Sequence, residues 1–156
     1  MREQRPVDYA KLIPELSAYS DSGPWAIDVW LANIGRYDAA LAYASLFWPV
    51  FTEIDECVLL GPGVPESYAA WRASHGDDPG AIEAVLNHLH LLDLFPMAPE
   101  PSRDAVLHLG IVLREMWTAK LHRDFPDRQF IVSFSETFDL RVDNPEITFY
   151  TKRSGV

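Results

Sequence analysis

The sequence predicts an α+β fold, with N-terminal and central helices packed on a small antiparallel sheet formed mainly by C-terminal strands. Three observations carry this expectation. Apolar residues recur at helical spacing through most of the chain up to His122, they alternate at a spacing of two after Arg128, and twelve prolines punctuate the runs. Helices segregated from an antiparallel sheet are the signature of the α+β class. The chain has 156 residues, 48% of them hydrophobic, which suits one core. A single domain spanning 1–156 is therefore expected.

The elements follow in order. Val7–Tyr19 reads as a helix that Pro14 shortens or kinks. Ser22 or Gly23 can cap a second helix, with Pro24 in its first turn, running from Trp25 to Asn33 and stopping near Gly35. Tyr37–Phe47 is a third helix, ended by Pro49. Val50–Leu60 alternates and reads as the first strand, joining the C-terminal sheet. Pro65–Ala73 is a short helix. Asp78 caps the next, with Pro79 in its first turn, and the apolar spacing carries that helix from Ala81 to Leu94. A connector with three prolines leads from Phe95 to Ser102, where the longest helix begins and runs to about His122. Gln129–Phe134 and Glu146–Lys152 read as strands. Phe138, Leu140 and Val142 alternate between them and suggest a third.

Charge is unevenly spread. Of the net −10, the segment Tyr37–Ser102 holds ten acids against one base, Arg72, and carries −9. A field of that sign repels phosphate backbones and anionic lipid, so neither nucleic acid nor membrane is an expected partner; a basic protein is. One cysteine, no apolar run long enough to span a bilayer and no apolar leader after Met1–Pro6 are the grounds on which a cytoplasmic location is expected.

Glu53, Asp55 and Glu56 are the acids that draw attention. Read on one strand, Glu53 and Asp55 project to one face with Cys57, while Glu56 projects to the other. Two such carboxylates can share a proton or hold a cation, or simply solvate an edge strand. Tyr37, Trp48 and Phe51 lie beside these acids in sequence, an arrangement that suits anchoring of a basic partner. Cys57, between Glu56 and Val58, reads as a buried small hydrophobe. His88 and His90 would chelate together on a strand, but the helical spacing around them puts the rings about 200° apart. Asp104, His108 and Glu115 share a stripe of the long helix and include metal-ligand types. Ala105, Val106, Leu109, Val112, Leu113, Met116 and Trp117 oppose them, so the stripe reads as the solvent face of an amphipathic helix. Nucleotide-loop, nucleophile-elbow and zinc-binding motifs do not occur, and no cofactor or resident metal is expected.

A short acidic α+β chain without catalytic motifs is similar to small bacterial immunity-type proteins, a similarity of composition that implies sequestration of a basic protein. The functional expectation is thus a non-enzymatic protein-binding module. Two alternatives stand beside it: a small metal- or carboxylate-dependent hydrolase with dispersed residues, and a structural homodimer subunit.

Overall fold

A computed structural model describes residues 7–76 and 78–152 of the chain. The fold is α+β, as the sequence predicts. The chain forms two compact units, Met1–Ala42 and Tyr43–Val156, with the boundary inside one helix.

The first unit is helical. α1 (Tyr9–Leu12) is one turn long because Pro14 lacks an N–H and forces Ile13 into extended geometry at φ −127°. The expected helix to Tyr19 is replaced by a 3₁₀-type run, Pro14–Trp25, broken at Tyr19 and at Gly23, whose φ is +56°. That run leads directly into α2 (Ala26–Ile34), which has no side-chain cap. α3 (Tyr37–Phe47) follows. Among the described residues of this unit, Leu16 is buried, and neither α2 nor α3 buries any residue.

The second unit holds the sheets. The expected strand Val50–Leu60 is instead a hairpin, β1 (Phe51–Ile54) and β2 (Cys57–Leu60), closed by the two residues Asp55 and Glu56. α4 (Tyr68–His75) is displaced by a few residues from the expected Pro65–Ala73. α5 (Pro79–Leu86) starts as expected, with Asp78 Oδ1 accepting from the Ala81 N–H, but stops eight residues short of Leu94. The chain then extends into β3 (Leu89–His90). α6 (Arg103–Asp124) is capped by the Ser102 hydroxyl. β4 (Phe130–Phe134) and β5 (Glu146–Thr151) complete a three-stranded antiparallel sheet ordered β3-β5-β4. Residues 138–142 do not form its third strand. There the Asp143 carboxylate accepts from the Asp139 N–H, and the Asp139 carboxylate from the Arg141 N–H, which turns the chain.

The core lies between α6 and the sheet. Val106, Gly110, Leu113, Trp117 and Leu121 form the buried stripe of α6, rotated slightly from the expected face. Phe149 is fully buried. Its ring meets Phe51 at 5.2 Å, Trp117 at 6.0 Å and Phe130 at 6.2 Å, all edge to face. The Trp117 indole donates to the Leu46 carbonyl at 2.9 Å. Gly110 interrupts an otherwise good helix former because the Phe134 ring lies on it; a Cβ there would fall 2.1 Å from Phe134 Cζ.

Hairpin and sheet do not share a ladder. The Gly61 N–H bonds to the Val50 carbonyl, so the backbone groups of Thr52 and Leu59 face each other and those of Val58 and Leu60 point outward. By the same alternation, the Lys152 N–H to Gln129 carbonyl bond turns the groups of Phe149 and Thr151 away from β4. Two buried side chains one turn apart, Glu83 on α5 and Asn87 at its C-terminal cap, satisfy both edges. The Glu83 carboxyl accepts from the Val58 N–H at 2.7 Å and from the Thr151 N–H and hydroxyl. The Asn87 amide accepts from the Leu60 N–H at 2.8 Å and donates to the carbonyls of Val58 and Phe149 at 2.9 and 3.2 Å.

Burial pushes the Glu83 carboxyl above its ordinary value, and the donors from Thr151 and Val58 only partly offset this. A raised value in the fold means that the stabilisation from this group is complete below the ordinary glutamate value. It is then lost as pH rises through the folded-state value. Glu83→Ala should cost about 3 kcal/mol, because two buried N–H groups lose their acceptor. Urea denaturation of both proteins should give a larger penalty near about pH 4.5 than near about pH 8. Equal penalties at the two would mean that the carboxyl titrates alike folded and unfolded.

Candidate functional site

The acidic residues singled out by the sequence converge on the tip of the β1–β2 hairpin. A two-residue loop with positive φ at both positions, 46° at Asp55 and 70° at Glu56, has the geometry of a type I′ turn. This overturns the reading of Glu53 and Asp55 as same-face strand neighbours in line with Cys57. Glu53 lies on β1, whereas Asp55 and Glu56 form the turn, and the chain reverses before Cys57. All three acids are exposed.

Each acid or its backbone has a fixed neighbour. The Glu53 carboxylate pairs with the Arg128 guanidinium, which also donates to the Glu56 carbonyl at 3.3 Å. The Tyr68 hydroxyl donates to the Asp55 carboxylate at 3.2 Å. Burial, the nearby Cys57 and the Asp55 carboxylate together push the Tyr68 hydroxyl up to about 12, so it remains a donor. Arg72 Nη1 reaches the Asp55 carbonyl at 3.4 Å. Asp55, Glu56, Arg72 and Pro79 line a shallow cavity of about 310 Å³. Side chains of α4 thus brace the turn, Tyr68 through the Asp55 carboxylate and Arg72 through its carbonyl, while both turn residues stay exposed.

Cys57 is fully buried behind the turn. Burial, and then the Glu83 carboxyl, push its thiol upward, which leaves it a poor nucleophile. This matches its reading as a small hydrophobe.

The aromatic residues have different surroundings from those expected. Trp48 and Phe51 do come together, but beneath a cation: Lys120 Nζ lies 5.8 Å from the Trp48 ring and 5.5 Å from the Phe51 ring. Arg123 approaches Trp48 at 5.9 Å. Phe51 faces the core and is half-buried, while Trp48 is at the surface. Tyr37 belongs to the first unit, where it is 93% exposed.

Asp104, His108 and Glu115 lie on α6 as expected, with Asp104 and Glu115 exposed and Asp104 3.9 Å from Arg103. Among the described residues, no group of three or more histidine, cysteine, aspartate or glutamate side chains could hold a metal ion.

Sequence reasoning missed the exposed apolar positions of α2 and α3. Leu31 and Ile34 are three apart and each 51% exposed; Tyr37 and Leu41 are four apart, with Leu41 73% exposed. Such spacings place each pair on one helix face. Trp25, just before α2, is 67% exposed. The signal was present in the sequence, because both helices are apolar around most of their circumference, and such helices need cover.

The hairpin turn is strained by its residue types, since non-glycine residues at positive φ are costly. Glu56→Gly should raise the stability of the chain by about 1 kcal/mol, read as an increased urea midpoint at unchanged slope. A lowered midpoint would mean that the Glu56 side chain contributes more than its backbone costs. No protein-family model, curated protein or solved structure matches the chain.

Proposed function

We propose that this chain is a non-enzymatic protein-binding module that sequesters a basic protein in the cytoplasm, in the manner of an immunity-type protein. The observation that carries the reading is the uncovered apolar surface of the N-terminal helical unit. Trp25, Leu31, Ile34, Tyr37 and Leu41 are all more than half exposed on a unit in which α2 and α3 bury nothing. Large side chains at helical spacing, left in water, suit a partner's surface. Net charge sets the partner's sign: a chain at −10 favours a cationic protein. The exposed acids Glu53, Asp55 and Glu56 would speed encounter, and the apolar residues would slow release.

A second reading, a homodimer, is favoured by the outer edge of β4. By the ladder alternation, the backbone groups of Phe130, Val132 and Phe134 point away from β5, and the strand carries no charge. Antiparallel pairing of two copies about Val132 would set Arg128 of one copy opposite Glu136 of the other.

The test uses three baits with lysate from the source cell: the wild-type chain, Tyr37→Ser with Leu41→Ser, and Glu53→Gln with Asp55→Asn and Glu56→Gln. The expected result is one basic protein retained by the wild type and lost by the apolar variant. The acidic variant should bind it with a slower on-rate and a flatter salt dependence. A basic protein held equally by all three baits would contradict the reading. A wild-type chain that retains no protein and sediments as a dimer would replace it with the second.

A further inference from the structure

We propose that His88 and His90 form a two-histidine site for an exchangeable divalent transition-metal cation such as Zn²⁺ or Ni²⁺. The inference is independent of the protein-binding reading and rests on the early end of α5. Helical spacing would have set these imidazoles on different sides of a helix. In the structure α5 stops at Leu86, His88 immediately precedes the two-residue strand β3 that holds His90, and the two imidazoles come together. The two rings meet edge to face, with centroids 5.2 Å apart and planes at 79°. Two imidazoles on one tetrahedral cation, with metal–nitrogen bonds of about 2.0–2.1 Å, have centroids roughly 5 Å apart.

The surroundings of both rings favour ligation. His88 Nδ1 contacts the Val85 carbonyl, and His90 Nδ1 lies 3.4 Å from the Asn144 carbonyl. A carbonyl can only accept, so each neutral ring carries its proton on Nδ1 and presents the Nε2 lone pair. This outer hydrogen bond is the arrangement that orients metal-binding histidines and raises their basicity. Glu146 Oε2, 4.0 Å from His90 Nδ1, adds negative charge on the same side of that ring.

Asn144 is itself held in place. Its amide accepts from the Leu92 N–H at 3.2 Å and donates to the Asp93 carboxylate at 3.1 Å. The carbonyl behind His90 is therefore fixed by the β3–β5 pairing and the turn that follows it. Two protein ligands leave the remaining positions to water, so the cation is acquired and released rather than resident. Imidazole nitrogen suits zinc, nickel and copper, and does not suit calcium or magnesium.

The experiment follows the imidazole NMR signals of the full chain during addition of Ni²⁺, and measures Zn²⁺ binding by calorimetry. The expected result is one cation per chain, with the His88 and His90 signals broadened before those of His75, His108 and His122. His88→Ala and His90→Ala should each weaken binding by at least about tenfold, since losing even an outer partner of a ligand costs about 10–100-fold. His122→Ala should leave binding unchanged. Equal broadening of all five imidazoles in the wild type would overturn the proposal without recourse to any variant. So would wild-type affinity in both His88→Ala and His90→Ala, or the absence of any binding heat.

Discussion

Glu83 and Asn87 do with side chains what a β-ladder does with backbone. Strands β2 and β5 each turn an edge of N–H and C=O groups toward α5, and among the described residues no strand pairs with either edge at those positions. Left alone in the core, each such group would cost about as much as a lost hydrogen bond. The Glu83 carboxyl and the Asn87 amide, four residues apart and so on one helix face, together meet Val58, Leu60, Phe149 and Thr151. Both side chains are fully buried. A carboxyl there is held by three donors but carries a desolvation cost, which is why its pKa rises. The arrangement specifies register: a slip of one residue in either strand would turn its free groups away from α5.

The rest of the C-terminal unit takes its form from this junction. With β2 fixed against α5, the β1–β2 turn lies within reach of Tyr68 and Arg72 of α4. The same junction ends α5. Once the Asn87 amide is committed to two strands, its residue leaves the helix at φ −94° and ψ 3°, and the chain can extend into β3. The acidic tip and the histidine pair thus lie on opposite continuations of one polar contact. Neither site depends on a long loop, and both are borne on paired strands or their immediate flanks.

Much of the fold was legible because periodicity and capping agree there. Asp78 caps the helix it was expected to cap, the longest helix begins at Ser102 as expected, and Phe130, Val132 and Phe134 share the inner face of β4 with Ile147 and Phe149 opposite on β5. The misses have local causes. The hairpin was read as one strand because Asp55-Glu56 lacks the glycine or asparagine that marks such turns. α5 was extended because Leu89 and Leu92 keep helical spacing after a helix that tertiary contacts have already ended. The alternation at Phe138, Leu140 and Val142 was real, but Asp139 and Asp143 capture the backbone locally. At the candidate site, sequence supplied the acids. It did not mark the local reversal that separates Glu53 from Asp55, and it could not supply the cations over Trp48, which come from Lys120 and Arg123 on a distant helix.

Native-state hydrogen exchange tests the central claim most directly. Val58, Leu60 and Thr151 donate to side chains, whereas Val132 sits in a strand with its N–H on the open edge of β4. The account predicts that the first three amides exchange as slowly as the core of α6, and that Val132 exchanges fast. Asn87→Ala should then release Leu60 selectively. Val58, Leu60 and Thr151 exchanging as fast as Val132 in the wild-type chain would contradict it.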